Sequence, residues 1–135
     1  MWTKSVFQSV YSRIVSNGRI RIKSAYPTLN PNFAKDIPSA EKIKYPCIVV
    51  KKLQGKEVAR DIEARFINGI ISNIQIEVFS NKKQDESDDI AEIIADLMKS
   101  MSYEMIGDPI PMDGLLNDYR TVARYTREID YQDII

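Results

Sequence analysis

The sequence predicts an α+β domain, with two helices packed on one face of a mainly antiparallel or mixed β-sheet and a long Pro-rich arm spanning residues 25–45. Three observations lead there. Apolar residues recur at helical spacing in two separate stretches, one near the start and one over residues 83–101. Between and after them lie segments of alternating or continuous apolar character, the pattern of strands. The 135 residues, 44% of them hydrophobic, match one ordinary domain with enough apolar material for a core.

In chain order, the first helix is predicted to begin near Ser5, where Ser5 and Gln8 have capping-box spacing. Val6, Phe7, Val10, Tyr11, Ile14 and Val15 form its apolar face, and Asn17-Gly18 is expected to end it as a left-handed cap. The following "RIRIK" alternates basic and apolar residues, so Arg19–Lys23 reads as a short half-buried strand or extended arm. Its three cations fit a charged face on an edge strand or a phosphate contact.

From Ala25 to Tyr45 the chain holds Pro27, Pro31 and Pro38 and shows neither helical nor strand periodicity. The expectation is a long loop that contacts a neighbouring subunit through Tyr26, Leu29, Phe33 and Ile37, or else is tied down on its own domain. Cys47–Leu53 reads as a strand buried on both faces, with Cys47 a buried small hydrophobe.

Asn68-Gly69 sits between two alternating runs, which is a hairpin signal. A three-residue loop, Ile67 to Gly69, pairs Phe66 with Ile70, Ile62 with Ile74 and Val58 with Val78, and gathers the apolar side chains on one face. The first arm also fits a helical period. Asn73, Gln75 and Glu77 are expected to form an exposed row.

The second helix is predicted over Lys83–Met101, with Asn81 and Gln84 at capping-box spacing and Ile90, Ile93, Ile94, Leu97, Met98 and Met101 as its core stripe. Tyr103–Ile106 reads as a strand running into a Pro/Gly-broken loop. Asp118–Tyr131 reads as the longest strand, with Thr121, Ala123, Tyr125 and Ile129 on one face and Arg120, Arg124, Glu128 and Asp130 on the other. Arg127 falls on the first face and interrupts its apolar pattern.

Little in the residue inventory suggests catalysis. With no histidine and one cysteine, a Ser/His or Cys/His nucleophile is excluded, and no glycine-rich phosphate loop is present. Asp85, Asp88, Asp89 and Glu92 share an outer helix face, but their place in the first turns is what the helix dipole favours. The expectation is no enzyme, no metal and no cofactor. Lone Cys47 also excludes an internal disulfide. The start lacks the apolar core and cleavage site of a signal peptide, and no run is long enough to span a membrane, so no membrane partner is expected.

Net charge is zero, unlike the basic surface of a nucleic-acid-binding domain, so no sequence-specific nucleic-acid partner is expected. The zero conceals a polarity: residues 1–60 hold twelve Lys/Arg and three Asp/Glu, and residues 61–135 hold seven and sixteen. Either the two halves form local pairs, or a basic flank of one copy meets an acidic flank of the next in a head-to-tail contact. The candidate basic residues are Arg21, Lys23, Arg120 and Arg124, and their candidate counterparts are Asp88, Asp89, Glu92 and Asp96.

The succession of an N-terminal helix, a Pro-rich arm into "YPCIVVKK", then "NIQIEVFSNKKQDESDDIAEIIADLMKSMSYEMIG" and the closing "DYRTVARYTREIDY" resembles the tail terminator, or tail completion, proteins of long-tailed phages and prophages. The resemblance implies a non-enzymatic virion protein, assembled in the host cytoplasm. Such a protein forms a homo-oligomeric ring, commonly hexameric, on the tail tube protein, stops tube growth and joins the tail to the head connector. A head completion or baseplate protein is the close alternative, and a small ligand-binding domain the distant one.

Overall fold

The computed structural model describes residues 2–39, 41–53, 56–60, 67–114 and 118–130. Its elements are α1 (Trp2–Ala25), β1 (Asn32–Ala34), β2 (Cys47–Lys52), β3 (Lys56–Arg60), β4 (Ile67–Ser80), α2 (Gln84–Ser100), β5 (Glu104–Met105), β6 (Ile110–Asp113) and β7 (Tyr119–Asp130). The fold is α+β, with both helices against a mixed sheet. The strands run in the order β1-β2-β4-β7-β5, with β3 also on β4 and β6 also on β7. β1 is parallel to β2 and the other pairings are antiparallel.

α1 is longer than expected at both ends. It starts at Trp2, so Ser5 lies inside it, and it passes through Asn17-Gly18 to include the whole "RIRIK" segment, which is neither strand nor arm. The reason is a stripe with a four-residue period: Val6, Val10, Ile14, Gly18 and Ile22 are all buried. A strand would put Ile20 and Ile22 on one side. The helix separates them, burying Ile22 fully and leaving Ile20 68% exposed. Gly18 serves packing rather than termination, since a Cβ there would lie 3.2 Å from Ile94 Cδ1 and 3.4 Å from the Phe33 ring.

The Pro-rich segment is not an extended arm where it is described. The Tyr26 hydroxyl donates to Asp89 Oδ2 at 2.6 Å, Leu29 and Pro31 are buried, and β1 joins the sheet edge beside β2. Asn32 holds this stretch together. Its backbone N–H donates to Pro46 O at 2.9 Å, and its side-chain amide reaches the carbonyls of Asn30, Lys44 and Pro46. The chain then crosses to the opposite sheet face, where Ile37, Ile43 and Tyr45 pack on Cys47, Val49 and Phe79. Where it is described, the segment is thus tied to its own domain by Asn32 and by the apolar contacts of Ile37, Ile43 and Tyr45.

Asn68-Gly69 also has a different role from the expected turn. β4 runs straight through it and pairs with β7 from Gly69↔Asp130 to Ser80↔Tyr119. β3 meets β4 at Lys56↔Ile71, Val58↔Gly69 and Arg60↔Ile67, which is not the register predicted around Ile67–Gly69. The long β7 ladder outweighs the local turn preference. Ile62 and Phe66 lie outside the described residues. Within the Pro/Gly-broken loop after Ile106, Ile110–Asp113 forms β6, which pairs with the first part of β7.

The main core lies between the sheet and both helices. Ile48, Val50, Ile74, Ile76, Val78, Ala123, Tyr125 and Ile129 supply the sheet side, and Ile90, Ile94, Leu97 and Met98 the α2 side. Full burial of each aliphatic side chain contributes roughly 1.5–3 kcal/mol, so this stripe accounts for the docking of α2. α2 ends where expected but in an unexpected manner. Ser102 adopts a left-handed conformation (φ 66°), with Ser102 N–H bonded to Lys99 O and Tyr103 N–H to Met98 O, a Schellman arrangement built without glycine. Arg127, the cation on the apolar face of β7, donates from Nη1 to Met101 O at 2.9 Å and so satisfies a terminal carbonyl of α2.

Candidate functional site

Charge is what the sequence offers as a functional surface, and the fold divides those charges into committed and uncommitted groups. At the start of α2 the capping residue is Lys83, whose side chain makes no cap bond, and Asn81 does not close a capping box. Ser80 Oγ instead accepts from Lys82 N–H at 3.2 Å and donates to Glu86 Oε1 at 3.1 Å. Gln84 Nε2, Ser87 Oγ and Thr121 Oγ1 converge, and Asp88 Oδ1 accepts from Thr121 Oγ1 at 2.8 Å and from Gln84 at 3.0 Å. Asp88 therefore locks α2 onto β7.

Asp89, one position on, points to the other side of α2 and accepts from Tyr26. That bond, followed by burial, raises the Tyr26 hydroxyl pKa above its ordinary value. Glu92 and Asp96 are exposed and make no hydrogen bond or ion pair among the described residues. The described residues also contain no group of three or more His, Cys, Asp or Glu placed to hold a metal ion, and no helix long and apolar enough to cross a membrane.

The predicted cations divide in the same way. Arg21 and Lys23 project from the outer side of α1 and are exposed. Arg124 is exposed on the sheet face away from the helices, where its Nε donates to Gln75 Oε1 at 2.8 Å. Arg120 is not a free surface cation. Its guanidinium binds Glu77 Oε1 and lies over the Phe79 ring at 5.5 Å from the centroid.

Glu77 corrects the expectation of an exposed Asn73–Gln75–Glu77 row, because it is 0% exposed. Val49 and Val122 flank it in register, Arg120 and Lys51 reach over it, and the 37–45 segment packs on the neighbouring side chains of the same face. Lys51 Nζ stands 3.6 Å from Glu77 Oε2, an ion pair outside hydrogen-bond reach. Tyr45 fastens the covering segment by donating to Asp118 Oδ2 at 2.7 Å. Its hydroxyl is pushed up to about 12, by burial first and by that bond second. Cys47 lies beneath the same cover, and burial pushes its thiol up to about 11, as suits an unreactive core residue.

Two surfaces stand out that the sequence reading did not single out. Ile106, Ile110, Met112 and Tyr119 are large apolar residues left exposed on and around β6, with Ile110 61% exposed. β6 pairs with β7 on one side, and its other side is unpaired among the described residues. Pro109 and Pro111, which broke the pattern, hid this strand from the periodicity. The second surface is an open groove of about 460 Å³ between α2 and the β5–β6 connection, lined by Asp88, Glu92, Met105, Asp108, Pro109 and Pro111. Its carboxylates come from two elements that only the fold brings together.

Comparison with protein-family models and with curated proteins finds no match to this chain.

Proposed function

We propose that this chain is a structural assembly protein of a phage or prophage virion, a tail terminator that forms a ring, hexameric by the family resemblance, on the end of the tail tube. In that role it stops tube polymerisation and presents a joining surface to the head connector. The observation that carries the assembly reading is the set of large apolar side chains left exposed on and beside β6: Ile106, Ile110, Met112 and Tyr119. Large apolar side chains left exposed together in this way mark a surface that another chain covers. The tail assignment within that class rests on the resemblance of the "IQIEVFSN" strand, the amphipathic helix after it and the closing "YRTVARY" strand.

Sedimentation equilibrium of the full chain over a range of protein and salt concentrations tests the assembly reading. A closed oligomer that weakens as salt rises is the expected result. A strict monomer at every concentration overturns it.

A further inference from the structure

The outer side of α1 and the groove beside α2 are opposite in charge, and each has an apolar centre. On α1, Ile20 stands 68% exposed in the middle of a cationic surface. Lys23 is one turn further along and Arg13 two turns earlier on the same side, with Arg19 and Arg21 flanking, and all four are exposed. The groove has the inverse arrangement: an apolar lining that includes Met105, Pro109 and Pro111, with Asp88, Glu92 and Asp108 around it. Glu92, Asp108, Arg21 and Lys23 make no hydrogen bond or ion pair among the described residues, so their charge is available to a partner.

The two surfaces lie at opposite edges of the molecule. α1 runs along the β1 side, where Gly18 abuts Phe33 of β1, Arg19 lies over the same ring and Lys35 reaches Gln8. The groove lies at the β5–β6 side, beyond α2 and β7. One copy cannot bring its own knob to its own groove.

We propose that the Ile20 knob of one copy seats in the Asp88–Glu92–Asp108 groove of the next copy of this chain. This rests on the assembly reading above and deepens it by naming the contact. Because the two halves are different surfaces, the interface is heterologous, and its repetition makes a ring when the rotation between neighbours divides a full turn. Burial of Ile20 supplies the apolar centre, and the surrounding cations and carboxylates set register and encounter rate.

The test uses two variants of the full chain, each altered only at exposed side chains. Ile20→Asp removes the knob and keeps the groove. Glu92→Lys with Asp108→Lys reverses the groove and keeps the knob. Far-ultraviolet circular dichroism and thermal melting establish that both fold like the wild type. Native mass spectrometry is then run at a concentration where the wild type is assembled. The expected result is that each variant alone is monomeric, with self-association weakened at least about tenfold. An equimolar mixture of the two forms a dimer and nothing larger, because one intact knob and one intact groove remain. Variants that assemble like the wild type, or monomeric variants that do not pair when mixed, overturn the proposed contact while leaving the assembly reading standing. A monomeric wild type overturns both.

Discussion

Replacing Arg120 with methionine removes the cation bound to a carboxylate that has no access to water. Glu77 is 0% exposed and the Arg120 side chain 20%, so the pair lies close to the buried limit. Removing one member of a buried pair costs about 3–5 kcal/mol, because the remaining charge is left uncompensated. Lys51, 3.6 Å from the other Glu77 oxygen, offsets part of that, which places Arg120→Met near the lower end, about 3 kcal/mol. The double variant Glu77→Leu with Arg120→Met leaves no orphaned carboxylate and is expected within about 1 kcal/mol of the wild type. Urea denaturation read by linear extrapolation, with unchanged m-values, measures both. If Arg120→Met costs under about 1 kcal/mol, it behaves as a surface ion pair, and the account of Glu77 as a buried charge under a covered sheet face is wrong.

Gly18→Leu drives a side chain into Ile94 and Phe33, where even a Cβ finds contacts at 3.2 and 3.4 Å. It is expected to cost about 1–3 kcal/mol by overpacking, and a melting temperature unchanged from the wild type contradicts the close helix approach. Cys47 has a folded pKa raised by burial from 9.0 to about 11, so the folded protein holds its proton more tightly than the unfolded chain. The corresponding stability is fully present below pH 9 and is lost as pH rises towards 11, on the order of 2 kcal/mol. Cys47→Ala should flatten that part of the stability-against-pH curve, and an unaltered slope counts against burial of the thiol.

Strongly periodic elements were legible in the sequence. The Ile90–Met101 stripe and the alternation of Thr121, Ala123, Tyr125 and Ile129 emerge as core because burial on one face imposes the period directly. The two Asn-Gly pairs misled for one physical reason. Each is a good local turn former, yet distant partners decide its conformation: Ile94 and Phe33 pack on Gly18, and β7 pairs with Gly69. Arg127 broke a strand pattern because it serves another element, the end of α2.

For the charged residues, chemical type was legible but availability was not. Asp88 is committed to Thr121, Asp89 to Tyr26, Arg120 to Glu77 and Arg124 to Gln75. Arg21, Lys23, Glu92 and Asp96 remain exposed. The exposure of Ile20 and the joining of Asp108 to Glu92 depend on α1 continuing past Gly18 and on β6 forming at all. The four-residue spacing of Val6, Val10, Ile14 and Ile22 was present in the sequence but was masked by the turn preference of Asn17-Gly18, and Pro109 and Pro111 removed any periodic signal for β6.

Electron microscopy of tail tubes grown with and without the purified full chain tests tail termination itself. Tubes grown with the protein are expected to stop at a limited length and to carry a ring of extra density at one end. Tubes that grow equally long, with bare ends and no bound protein, would contradict it.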